Sequence, residues 1–171
     1  MQIYQVKVHA DGTIRWCQNG QLHRLDGPAI ECASGDKYWY QNGQHHRLDG
    51  PAIEYADGAK YWYIEGRLHR LDGPAIEFTD GAKHWYQNGQ LHRLDGPAIE
   101  YASGDKYWCQ NGQFHRLDGP AAEYTSGTKH WYIKGQFLTE AEFLTRTQPP
   151  KPDCSGKTVV IDGITYKLEK A

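Results

Sequence analysis

A chain of 171 residues is long enough for one domain with a small appendage, and its 19 Lys and Arg against 21 Asp and Glu leave a formal charge of -2. That balance argues against a general nucleic-acid binder, which carries a net basic face. With 6 Trp, 12 Tyr and 4 Phe, aromatics supply much of the apolar area, so a thin, elongated sheet is expected rather than a thick core.

No stretch approaches the roughly 20 apolar residues of a membrane span. The opening MQIYQVKVHADG has no charged region followed by an apolar one, so no secretory signal is expected and a cytoplasmic location is the natural reading. Residues 1–12 read as an N-terminal half-repeat cap, because Gln5 to Gly12 align one period before Pro28 to Gly35.

Residues 13–138 read as tandem β-hairpin repeats. HRLDGPA starts at His23, His46, His69, His92 and His115, always 23 residues on, although the last copy is followed by Ala122 rather than Ile. Trp16, Trp39, Trp62, Trp85, Trp108 and Trp131 keep the same period. A fixed short period means that each unit buries its apolar groups against its neighbours. Each unit carries two glycine turns, one at Asn42-Gly43 and its equivalents, one at Asp57-Gly58 and its equivalents. Both supply the positive φ of hairpin turns. Runs such as Tyr-Trp-Tyr and Ile-Glu-Tyr between them favour strands, and the proline of Asp-Gly-Pro breaks the second strand into a bulge or corner.

If both turns hold two residues, Trp39 faces His46 and Ile53 faces Trp62. One sheet face then carries Trp, Ile, His and the second-strand Tyr, and is the better buried. The other carries the first-strand Tyr pair, the Leu before His, Arg and Glu.

Beyond the repeats, Thr139 and Glu142 make a capping-box pattern, which predicts a short capping helix within 139–146. It should close the last open sheet edge. TQPPKPDCSG (147–156) reads as a Pro-rich extended linker. Residues 157–171 read as a C-terminal β-hairpin turning at Asp162-Gly163, which should dock elsewhere because a lone hairpin is marginal in water. The expected fold is thus all-β: an elongated antiparallel β-hairpin tandem-repeat ribbon with a short C-terminal helix and a terminal hairpin.

The 23-residue period, the aromatic strand, the Gly turn, the following His and the closing Asp-Gly resemble the MORN repeat family. Trp62, Gly66, His69 and Gly81 carry the likeness, with their equivalents over about residues 12–138. MORN units usually have Gly-x-Gly after the His position, where this chain has Arg-Leu-Asp-Gly-Pro. The WYxNGxxHRxDGPA variant is similar to repeats of phage, giant-virus and bacterial proteins. The resemblance implies a scaffold that contacts proteins or membranes, and a host-cytosol location if the chain is viral.

Five equal copies of His, Arg and Asp do not make the single asymmetric constellation an enzyme needs. No enzyme activity and no catalytic residue are therefore expected. Asp26, Asp49, Asp72, Asp95 and Asp118 should be structural, fixing each corner through bonds to Arg24, Arg47, Arg70, Arg93 and Arg116. The same Arg row, with Tyr40, Tyr63 and Tyr86, is the candidate binding surface. The histidines lack zinc-finger spacing, so no metal or cofactor is expected. Cys17, Cys32 and Cys109 stand at aromatic positions of other units and read as packing residues. Two functions follow as expectations. The first is a non-catalytic protein-binding repeat scaffold, a phage or viral accessory factor that engages or inhibits a host protein. The alternative is a small-molecule or carbohydrate (cell-wall type) binding module using the aromatic rows. Neither the partner nor the oligomeric state follows from the sequence.

Overall fold

Two kinds of turn alternate along the chain, and their different lengths set the register of the strands. The structure, a computed structural model, describes residues 4–148, 157–161 and 163–167. At each Asn-Gly pair or its equivalent both residues have positive φ, as at Asn42 (50°) and Gly43 (75°). This two-residue turn has a twist that matches its flanking strands. It pairs Tyr40 with His45 and Gln41 with Gln44, and the His46 N–H donates to the Trp39 carbonyl beyond.

The Asp-Gly turn holds three residues. The Tyr55 N–H donates to the Ala59 carbonyl, and the Gly58 N–H to the Tyr55 carbonyl. Gly58 takes φ 100°, and Asp57 Oδ1 accepts from the Ala59 N–H at 3.0 Å. The expected pairing of Ile53 with Trp62 is therefore wrong by one residue: Ile53 pairs with Tyr61, and Glu54 with Lys60. A one-residue slip moves a strand's side chains to the opposite face. Ile53 and Tyr55 accordingly lie with Tyr38 and Tyr61. Trp39 shares the other face with Arg47 and Glu54. The better buried face is that of Ile and Tyr: Ile53, Ile76 and Ile99 are buried.

The main sheet is one antiparallel path. It runs Gln5–Val8, Ile14–Gln18, Ile30–Glu31, Lys37–Tyr38, Ile53–Glu54, Lys60–Tyr61, and onward in the same alternation to Lys129–Ile133 and Gln136–Leu138. Pro precedes each Ala-Ile-Glu and cannot donate to a ladder, and those strands stay two residues long. Where Gln5-Val6 stand in place of Pro-Ala, the ladder runs unbroken through four pairs, Gln5 with Cys17 to Val8 with Ile14. The Asn-Gly hairpins make a second row beside this sheet. Consecutive hairpins are tied through the backbone, the Gly66 N–H donating to the His45 carbonyl at 2.9 Å.

The core between the two rows is thin. Ala29, Ala52, Ala75, Ala98 and Ala121 have no exposed surface, which explains a small residue after every Gly-Pro. Above them the rings of Tyr38, Tyr55, Tyr61, Phe78, His84, Tyr101, Tyr107, Tyr124, His130 and Phe137 follow one another edge-to-face. Their centroids are 5.0 to 6.0 Å apart and their planes 68 to 88° to each other. This is the favoured geometry of aromatic pairs, each adding about 0.5–1.5 kcal/mol beyond area burial. Tyr38–His45 and Tyr107–Phe114 ring contacts join the sheet to the hairpin row.

The helix spans Glu140–Thr147, and its capping box forms as the sequence predicts. Glu142 N–H donates to Thr139 Oγ1 at 3.3 Å, and Thr139 N–H to Glu142 Oε2 at 2.8 Å. Phe143 is buried, and the helix packs on the last two strands of the sheet. The terminal hairpin pairs Thr158–Ile161 with Ile164–Lys167. Every residue of both strands is exposed, against the expectation that it docks. Of the expected linker, residues 149–156 lie outside the described residues, as does Asp162.

Three histidines, His45, His84 and His130, stand in the apolar rows. His45 replaces a Leu and His84 a Tyr of other units. His45 Nδ1 and His84 Nε2 are buried without a hydrogen-bond partner. Burial holds both imidazoles below the ordinary value of 6.5, with Asp80 opposing this at His84. A folded pKa below the unfolded one means that the unfolded chain binds more protons. Stability is then fully present above about pH 6.5 and is lost as pH falls through the lowered folded values. Between about pH 7.5 and about pH 5, the wild-type melting temperature should fall further than that of the double variant His45→Leu/His84→Tyr. Thermal denaturation followed by circular dichroism checks this, and equal falls would contradict it.

Candidate functional site

The corner His-Arg-Leu-Asp-Gly-Pro links one Asn-Gly hairpin to the next Ile-Glu strand, and its arginine is the hub. Arg47 Nε donates to Asp49 Oδ1 at 2.9 Å, and Nη1 donates to the Pro51 carbonyl at 3.2 Å and Glu54 Oε1 at 2.8 Å. Arg24, Arg70, Arg93 and Arg116 repeat the three bonds with Asp26, Asp72, Asp95 and Asp118 and with the matching Pro and Glu. Each guanidinium also lies over the Trp eight residues earlier: Arg24 over Trp16 and Arg47 over Trp39 at 4.1 Å, Arg116 over Trp108 at 3.9 Å. Cation–π contact of this kind is worth about 0.5–2 kcal/mol.

Packing around the guanidinium explains the glycine. Gly27, Gly50, Gly73, Gly96 and Gly119 do not have positive φ, yet a Cβ on any of them would sit 2.9 to 3.0 Å from the guanidinium carbon. The arginine is thus held between a ring and a bare backbone. Its backbone works across units: the Arg47 N–H donates to the Tyr63 carbonyl of the next hairpin at 3.1 Å. The histidine does the same with its ring. His46 Nδ1 accepts from the Glu65 N–H at 3.2 Å, and His23, His69, His92 and His115 accept from the N–H at the same turn position one unit on. At His23, His69 and His92 the same Nδ1 also lies 2.9 to 3.1 Å from the Asn Oδ1 of that turn.

The candidate residues therefore fall into different places. The arginines are 20 to 23% exposed, with their bonds turned inward. The aspartates are 78 to 85% exposed. The Arg bond holds the carboxyls of Asp49, Asp72, Asp95 and Asp118 below the usual range. Tyr40, Tyr63 and Tyr86 meet the corners only through their carbonyls, which accept from the N–H of Arg24, Arg47 and Arg70; their side chains lie elsewhere. They are half-buried in the hairpin row, where burial raises their phenol pKa; Tyr40 O–H meets His45 Nε2 at 2.9 Å.

Sequence reasoning missed one residue of the corner. Leu48, Leu71 and Leu94 are 79, 76 and 75% exposed, Leu25 and Leu117 54 and 58%. Each leucine stands beside the aspartate on the rim of a groove between consecutive corners. The four grooves measure 550 to 600 Å³, and each has a Trp and a His among its lining residues. The signal was present in the repeat itself, since a leucine that is identical in all five copies sits between two polar residues.

Among the described residues no group of three or more His, Cys, Asp or Glu is placed to hold a metal, and no helix is long and apolar enough to cross a membrane. Cys17, Cys32 and Cys109 are free thiols, and burial pushes Cys109 up to about 11. No protein-family model matches the chain, and no curated protein matches it.

Gly73→Ala should destabilise by about 1–3 kcal/mol, because a displaced Arg70 loses its ring and its acceptors together. Asp72→Ala should lower the melting temperature less, because Arg70 keeps Trp62, Pro74 and Glu77 and the lost bond is solvent-exposed. Denaturant titration of the two variants checks the order, and a reversed order would contradict the clamp.

Proposed function

We propose that this protein is a non-catalytic, MORN-like repeat scaffold that binds another protein, and that it is a phage or viral accessory factor engaging or inhibiting a host protein in the cytosol. The leucine row carries this reading. Arg, Asp, Gly, Pro, Ala, Trp and His of each unit all have an internal partner or a packing role. Within HRLDGPA the leucine is the large apolar side chain left more than half exposed in all five copies. A row of exposed apolar side chains costs solubility and favours association with a partner. Five like contacts suit an avidity-type surface, in which affinity is spread over units.

A carbohydrate ligand is the second reading, and the tryptophan in each groove favours it. The guanidinium 3.9 to 4.1 Å from that ring occupies one stacking face, which supports the protein partner over the sugar.

The test is a pull-down from lysate of the native host, with the partner identified by mass spectrometry. Its affinity is then measured against Leu25→Ser, Leu48→Ser, Leu71→Ser, Leu94→Ser and Leu117→Ser, taken singly. Because these side chains are exposed, the variants should keep the wild-type melting temperature. Partial losses across several units are expected. Abolition by one substitution with the other four neutral would contradict a distributed surface.

A further inference from the structure

We propose that the row of corner grooves takes an extended, proline-rich basic segment of a partner protein, with one cationic side chain in each groove. The inference rests on the protein-binding reading above and adds the chemistry of the partner.

Charge gives the sign. Each groove is lined by the aspartates of two consecutive corners, at 78 to 85% exposure. The arginines beside them are turned inward onto Trp, Glu and the Pro carbonyl, and no lysine lines any of the four grooves. Each groove balances two aspartates against two arginines, but the carboxylates are its exposed groups, so an incoming chain meets them first. The arginines hold those of Asp49, Asp72, Asp95 and Asp118 below the usual range, so they stay charged near neutral pH. Complementary charge on the partner then steers encounter and fixes register.

Spacing gives the conformation. A unit adds two strands to the main sheet, an advance of about 9.6 Å. A polyproline II segment has three residues per turn and rises about 3.1 Å per residue, so every third side chain returns to the same face after about 9.3 Å. Over four grooves the mismatch is about 1 Å, within the reach of a lysine or arginine. A β-strand turns alternate side chains to opposite faces, so its every third residue points the wrong way. Seven residues of α-helix advance about 10.5 Å and lose register about three times faster. The leucines and the tryptophan between the aspartates give proline rings an apolar bed. A polyproline II chain is already ordered before it binds and docks on aromatic-lined grooves for that reason.

The probe is a synthetic peptide of about five Pro-Pro-Lys triplets, titrated calorimetrically into the whole chain. A peptide of the same composition with its lysines run together is the control for register, and one with glutamate for lysine is the control for charge. The triplet peptide should bind, more weakly at high salt, and tighter than either control. The variant Asp49→Asn/Asp72→Asn/Asp95→Asn keeps an acceptor for each arginine Nε, so its melting temperature checks that the corners remain. It should weaken the triplet peptide by about 10-fold or more. Equal binding of the clustered peptide, an unaffected Asn variant, or binding of a soluble glucan or the acidic peptide in place of the basic one overturns the proposal. If the triplet peptide is inert while the leucine variants still weaken a captured host protein, the partner chemistry falls and the scaffold reading stands. If the leucine variants leave that partner untouched, the scaffold reading itself falls.

Discussion

At each of five corners a guanidinium lies 3.9 to 4.1 Å from a tryptophan ring centroid, with bare glycine backbone against its other side. Three acceptors fix its direction: an aspartate, a glutamate and the carbonyl of the proline that breaks the strand. The repeated Arg, Asp, Gly and Pro of HRLDGPA follow from this one packing problem. Glycine makes room, proline ends the ladder, and alanine fits where no surface is left. Lysine could not replace the arginine, because only a planar fork can stack on the ring and donate in several directions at once.

The corner also explains why the units need each other. Its arginine N–H reaches the carbonyl of the following hairpin, and its histidine ring accepts from the following turn. The aromatic ladder crosses every unit boundary from Tyr38 to Phe137. A single unit of 23 residues would leave these groups without partners, as in other stacked repeats. After the last corner the pattern changes. Trp131 lies beside Phe143 and Leu144 of the helix, in a groove of 360 Å³ closing on Leu117 and Pro120. Leu138, 2% exposed, stands where the other units have His.

Much of the architecture was legible in the sequence because it is local. Asn42-Gly43 and its equivalents specify a two-residue turn by their φ values alone, and Thr139 with Glu142 specifies the helix start. The sheet register was not legible. Asp57-Gly58 suits two-residue and three-residue turns alike, and the choice depends on where Tyr55 and Ala59 pair. One residue of difference moved Ile53 from the tryptophan face to the tyrosine face. Within the corner, the Arg47–Asp49 contact could be read from spacing. Exposure of Leu48 was signalled only by its polar neighbours Arg47 and Asp49, against the usual reading of an apolar residue in a repeat as core.

Arginine and tryptophan stabilise the array as a pair. A double-mutant cycle on Trp62 and Arg70 tests this pairing most directly, with Trp62→Leu, Arg70→Met and the double variant compared by denaturant titration. A coupling energy of about 1–2 kcal/mol is expected, the double variant losing less than the sum of the single losses. Additive losses, with a coupling of about zero, would contradict it.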